Sequence, residues 1–188
     1  MKKTLIFFRE GATDANKAGL IQGTSIILPL NDTGIEQAKS LGISLKDIPI
    51  DICFTSPLPR SKQTAEIALA GRNIEIIEEQ GLTSAQFGIM EGKPIASLSA
   101  EDEIKWRSPN PDFRFPGGES QQEVADRIEK TLIKIANITN HKNIAICTHG
   151  ANTSWFRYCN PHLAPRPGDT PHATAILFEI EDGKITLK

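Results

Sequence analysis

The chain has 188 residues, 39% hydrophobic and 23% charged, with a formal net charge of -2. That is enough length for one domain with a real core, and the balance fits neither a disordered chain nor a membrane-embedded one. No basic stripe and no apolar run of spanning length is present, which excludes nucleic acid and the bilayer as partners.

In chain order, Leu5 to Phe8 reads as a buried strand, entered from an apolar start that stops at Arg9-Glu10, too short for a signal-peptide core. Gly34 to Lys46 predicts a helix with Ile35, Ala38, Leu41 and Leu45 on one face. Asp51 to Phe54 is a short strand. Pro59 to Ala70 is a helix with proline tolerated in its first turn, and Ile74 to Ile77 is another strand.

Gly81 to Gly118 is rich in proline and polar residues, with weak periodicity. It predicts a lid-like excursion over a site, within a single domain spanning residues 1–188. Trp106, Arg107, Arg114 and Phe115 within it either contact a ligand body or pack the excursion. Ser120 to Ala136 is the clearest helix, with a Ser120/Glu123 capping box and an apolar stripe of Val124, Ile128, Leu132 and Ile135. Ile144 to Cys147 is a strand, and Ala175 to Ile180 with Lys184 to Leu187 is a hairpin around Asp182-Gly183. Strands alternating with helices predict an α/β layered fold.

Cys53, Cys147 and Cys159 lack metal-ligand spacing, and Cys53 and Cys147 lie in apolar runs. They read as core thiols in a reducing compartment, and the expected location is cytoplasmic. No dinucleotide-type glycine loop and no Asp/His cluster of ligand spacing occurs, so neither metal nor cofactor is implied.

Three segments follow strands: Arg9-Glu10-Gly11, Thr55-Ser56-Pro57 and Thr148-His149-Gly150. In layered sheets ligands gather at the carboxyl ends of strands, so these tips are grouped into one candidate site. Arg9 offers a planar fork suited to a phosphate. Arg60 lies in the first turn of a helix, where backbone N–H groups add anion affinity. His149, after an apolar strand and before a glycine, reads as a site residue. His172 precedes the last strands and is a candidate pocket-lining residue. His141 and His162 receive no role.

Arg9-Glu10-Gly11 followed by Thr13 and Asn16, then Ser56-Pro57-Leu58-Pro59-Arg60-Ser61-Lys62-Gln63-Thr64-Ala65, then Gly118-Glu119-Ser120, then Thr148-His149-Gly150 resemble the ordered segments of the histidine phosphatase superfamily, the phosphoglycerate mutase-like proteins. The resemblance implies a three-layer α/β/α sandwich with a mostly parallel central sheet. It implies a phosphate pocket made by Arg9, Arg60 and His149, with the loop carrying Asn16, Gln22 and Gly23 wrapped around the ligand. The family's first motif is Arg-His-Gly, whose histidine becomes phosphorylated; Glu10 stands at that place. The family pattern near Leu-X-Glu-X-X-Phe-Gly-X-X-Glu-Gly commonly supplies a general acid from its first glutamate; Ser84 stands there and cannot supply a readily lost proton. Glu91 matches the later glutamate and reads as structural. Glu119 reads as part of a turn that starts a helix.

A carboxylate at position 10 sets a negative charge beside a bound phosphate, at a cost of about 4 kcal/mol for one pair at ~4 Å and an effective dielectric near 20. Three functions fit these residues. One is a degenerate member that binds a phosphorylated or anionic small molecule. Another is a re-purposed isomerase, epimerase or hydrolase using Glu10 and His149 as an acid–base pair. The third is a working phosphatase or mutase, through an acyl phosphate on Glu10 or as a chain in which the glutamate was introduced. Oligomeric state and substrate are not legible in the sequence.

Overall fold

In the computed structural model, which describes residues 1–163 and 170–188, the elements run β1 (Lys3–Arg9), α1 (Asp14–Lys17), α2 (Asp32–Leu45), β2 (Ile52–Thr55), α3 (Pro59–Ala68), β3 (Ile76–Glu78), α4 (Ala100–Arg107), α5 (Gln121–Ile138), β4 (Asn143–Thr148), α6 (Gly150–Tyr158), β5 (Ala175–Glu181) and β6 (Lys184–Leu187). The strands form one sheet in the order β3-β2-β4-β1-β5-β6. β1 to β4 are mutually parallel where they pair, and β5 runs antiparallel to both β1 and β6.

Alternation along the central strands explains the layering. Leu5 and Phe7 of β1 face one core with Ile144 and Ile146 of β4, while Ile6 and Phe8 face a second core with Ala145 and Cys147. Helices α5 and α6 cover the first face, and α2 and α3 the second. A strand buried on both faces has no polar side, so these segments read as continuous apolar runs. The result is the expected α/β/α sandwich with a mostly parallel sheet.

The capping box at Ser120 and Glu123 forms: Ser120 Oγ accepts the Glu123 N–H at 3.1 Å and the Glu123 carboxylate accepts the Ser120 N–H at 2.8 Å. Val124, Ile128, Leu132 and Ile135 are all fully buried, each contributing about 1.5–3 kcal/mol. Lys3, at the start of the central strand β1, donates from Nζ to the carbonyls of Ala136 and Thr139 at the end of α5. Those carbonyls have no partner within the helix.

Several boundaries shift for local reasons. Helix α2 starts at Asp32 rather than Gly34, because Asn31 caps it by accepting the Gly34 N–H at 2.9 Å. Helix α3 ends at Ala68, two residues short of the expected end. β3 covers Ile76–Glu78, set by its parallel register against Cys53–Thr55. The C-terminal hairpin forms with Asp182 and Gly183 both at positive φ.

The 81–118 segment contains short 3₁₀ turns and α4, which the weak periodicity had hidden. Glu119 and Arg127 pin it. Arg127 meets both carboxylate oxygens of Glu119 at 2.8 and 2.9 Å and donates to the carbonyls of Gly81 and Thr83. Glu91 is structural as expected, accepting from the N–H groups of Thr24, Ser25 and Phe87. Its carboxylate lies where a Cβ on Gly23 would be, and Gly23 has φ +58°, so the loop requires glycine there on two counts. Of the four residues singled out in this segment, Trp106 lines the central pocket. Phe115 packs in the core, Arg114 pairs with Glu123, and Arg107 pairs with Glu103 while lying over the Trp106 ring. All three cysteines are free. No helix among the described residues is long and apolar enough to cross a membrane.

Candidate functional site

The chain brings the predicted residues together at the carboxyl edge of the parallel strands. Arg9 ends β1, Arg60 occupies the first turn of α3 after β2, and His149 is the residue between β4 and α6. They line one cavity of about 350 Å³, together with Glu10, Asn16, Gln22, Gly23, Ser84 and His172. All nine candidate residues therefore share one pocket.

The two arginines are held by backbone and ring partners. Arg60 donates from Nη1 to the Ile26 carbonyl at 2.9 Å and from Nη2 to the Gly23 carbonyl at 2.8 Å. Its guanidinium thus shapes the loop after α1 and turns Nε toward the cavity floor. Arg9 donates from Nη1 to the Thr170 carbonyl, and its Nη2 lies 3.1 Å from His172 Nε2. A guanidinium only donates, so Nε2 accepts and the His172 proton sits on Nδ1, which donates to the Glu10 carbonyl at 3.0 Å. Gly150 allows Arg9 to lie against the start of α6: a Cβ there would stand 2.8 Å from Arg9 Cζ and Nε.

Glu10 is 4% exposed, and its carboxylate occupies the floor. Oε1 lies 3.3 Å from His149 Nδ1 and 3.7 Å from Arg60 Nε, close enough for attraction without hydrogen-bond geometry. On its other side His149 Nε2 lies 2.8 Å from Ser56 Oγ and 3.4 Å from Ser61 Oγ. Burial would raise the Glu10 carboxyl, but His149, Arg9 and Arg60 outweigh it and bring it down to about 2. Burial pushes the His149 imidazole down to about 4; Glu10 offsets part of that fall and the guanidiniums add to it. Near neutral pH the floor therefore holds a carboxylate, a neutral imidazole and two guanidiniums. Four polar atoms there, Arg9 Nε, Arg60 Nε, Glu10 Oε2 and His149 Nδ1, are buried without a hydrogen-bond partner among the described residues.

The loop residues are half committed. Asn16 Oδ1 accepts the Thr13 N–H at 2.9 Å, and Gln22 Oε1 accepts from Thr13 Oγ1 at 2.9 Å. Both residues line the pocket, and their amide NH₂ ends are not used in these bonds. Among the described residues, no cluster of His, Cys, Asp or Glu could hold a metal ion.

Sequence reasoning missed two parts of the site. One is the pair Ser56 and Ser61 behind His149. The other is an aromatic wall of Phe87, Trp155 and Tyr158, joined by the already suspected Trp106. A signal for the wall existed. Ala151, Ser154, Trp155 and Tyr158 fall at helical spacing directly after a strand-end glycine, which would have predicted α6 and the face it turns to the cavity.

Fold and site define an α/β protein with an arginine- and histidine-lined pocket at the carboxyl edge of a parallel sheet. The family model described as histidine phosphatase superfamily (branch 1) matches residues 5–182, and the chain belongs to that superfamily. It is 36% identical over 143 residues to "Uncharacterized phosphatase PhoE" of Bacillus subtilis, covering 76% of this chain and 69% of that protein. It is 33% identical over 146 residues to "Probable phosphoglycerate mutase GpmB" of Proteus mirabilis, covering 76% and 67%. A 34% identical stretch of 132 residues aligns with "Probable fructose-2,6-bisphosphatase TIGAR A" of Danio rerio, about half of whose length (51%) is spanned. The phosphoglycerate mutase structure from Bacillus anthracis superposes with a TM-score of 0.86 at 23% identity, covering 100% of this chain and 92% of that one, a likeness of fold.

Proposed function

We propose that this protein binds a small phosphorylated or otherwise anionic molecule through Arg9, Arg60 and His149, and that it does not run the phosphohistidine chemistry of its superfamily. Glu10 stands at the place of the nucleophile in the motif, and Ser84 at that of the acid. The carrying observation is the position of the Glu10 carboxylate, 3.3 Å from His149 and 3.7 Å from Arg60. A group that already supplies negative charge between those two side chains both opposes a phosphate and removes the imidazole that would attack it. The same charge works against an acyl phosphate on Glu10, because attack would bring the carboxylate onto a dianion.

The test pairs turnover with binding. The wild-type chain is assayed with p-nitrophenyl phosphate and titrated with a panel of inorganic and organic anions, and crystals are soaked with the same anions. The expected result is hydrolysis no faster than a blank, with anion density between Arg9, Arg60 and His149. Turnover that disappears in Arg9→Met would overturn the reading.

A second reading is favoured by one chain of contacts, Glu10 Oε1 to His149 Nδ1 and His149 Nε2 to Ser56 Oγ at 2.8 Å. A carboxylate and an imidazole side by side in one cavity form an acid–base pair, which suits isomerisation, epimerisation or hydrolysis of a sugar-like substrate. Ser56 is fully buried and does not line the cavity, so it orients the imidazole and is no nucleophile. Turnover of such a substrate that stops in Glu10→Gln distinguishes this reading from pure binding.

A further inference from the structure

We propose that the pocket is matched to a singly charged anion carried on a flat apolar body, in its simplest form an arylalkyl carboxylate, in preference to a phosphate monoester. The proposal rests on the anion-binding reading above and narrows it to a ligand class.

Charge supplies the first reason. The floor holds two guanidiniums and the Glu10 carboxylate, all lining one small cavity. With the imidazole neutral, as its burial favours, the sum is one positive charge. A monoanion cancels it. A phosphate dianion leaves a net negative charge in a buried site, which is costly in proportion to its burial.

Donor geometry supplies the second. A phosphate is best held by the open forks of arginine. Here the terminal nitrogens are engaged elsewhere, Arg60 with the carbonyls of Gly23 and Ile26, Arg9 with Thr170 and His172. The Nε of each arginine is buried without a hydrogen-bond partner among the described residues, and each terminal nitrogen keeps only its second N–H uncommitted by these bonds. With the forks already turned to those partners, the two Nε donors match the two oxygens of a carboxylate. The first backbone N–H groups of α6, at Gly150 and Ala151 beside the cavity, add donors and the positive end of a helix dipole.

The walls supply the third. Phe87 packs edge-on against Trp106 and Trp155, with ring centroids 5.7 and 5.6 Å apart. Trp155 Nε1 donates to the Trp106 carbonyl at 3.2 Å, and Tyr158 Oη donates to the Arg107 carbonyl at 3.0 Å. With those polar ends engaged, the wall offers ring surface, which suits an aromatic or aliphatic body better than a polyhydroxylated one.

The test is calorimetric titration of the full chain with phenylacetate, acetate and phenyl phosphate at pH about 8, where the phosphate, with a second pKa near 6, is a dianion. Glu10→Gln is titrated alongside, with its fold checked by circular dichroism. The expected result is phenylacetate at least about tenfold tighter than phenyl phosphate and than acetate, with the preference over phenyl phosphate shrinking or reversing in Glu10→Gln. Phenyl phosphate binding the wild type as tightly as phenylacetate, or more so, overturns this inference and leaves the anion-binding reading standing. Acetate matching phenylacetate overturns the apolar-body part. Binding of none of the three overturns both readings. Should Glu10→Gln not fold, the wild-type comparison alone decides.

Discussion

Oε1 of Glu10 lies 3.3 Å from Nδ1 of His149, with both side chains almost wholly out of water. A carboxylate held down to about 2 and an imidazole held down to about 4 tie the stability of the molecule to pH. The folded-state pKa of His149 lies below its ordinary 6.5, so its contribution is fully present above pH 6.5 and is lost as pH falls toward 4. That of Glu10 is present above about 4.5 and is lost as pH falls toward 2. Urea unfolding at pH about 5 should show about 2 kcal/mol less stability than at pH about 7 from His149 alone. In His149→Gln that portion of the slope should vanish. An unchanged slope in the variant would place the acid sensitivity elsewhere.

Arg60→Met should cost about 3 kcal/mol, because it leaves Glu10 buried with one cation fewer and strips the Gly23 and Ile26 carbonyls of their donors. Loss of protection should concentrate in the loop of residues 22–26. Hydrogen exchange read by mass spectrometry checks this; uniform loosening of the whole sheet would contradict a loop-clamping role.

Gly150→Ala should separate folding from binding. The new Cβ meets the far end of the Arg9 side chain, which can move, while the helical backbone accepts alanine. Thermal melting should change little, and affinity for a bound anion should fall about tenfold as Arg9 Nε is displaced. Equal affinity in the variant would show that Arg9 takes no part in binding.

Arg127→Met removes the bidentate partner of Glu119 and the donor to Gly81 and Thr83. The expected loss is about 1–3 kcal/mol, since two carbonyls and a partly buried carboxylate lose their partner. Limited proteolysis should cut first within residues 81–118. Cleavage that remains at the termini would mean the segment is held by its aromatic packing instead.

Much of the fold was legible because it rests on local rules. The stripe of Val124, Ile128, Leu132 and Ile135 repeats at helical period behind a Ser120 cap, and Asp182-Gly183 stands between two β-rich runs. Segments whose apolar period is absent or mixed with buried polar residues were missed. Helix α4 has no buried residue to make a stripe, and α6 mixes Asn152, Thr153 and Ser154, all buried, with its aromatic side chains. Propensity alone is weak there, and tertiary packing makes the choice.

The order of residue types along the chain determined that β1, β2 and β4 would end in Arg9, a serine-proline turn leading to Arg60, and His149, because strand period and helix starts are written into neighbouring residues. It also determined that an acid would sit among them. Only the tertiary structure decided how those charges are used: which guanidinium nitrogens are engaged by Gly23, Ile26, Thr170 and His172, where the Glu10 carboxylate lies, and which rings wall the cavity. A hydrogen bond between residues 37 or 161 positions apart depends on how the loops close in space, and no local pattern encodes that.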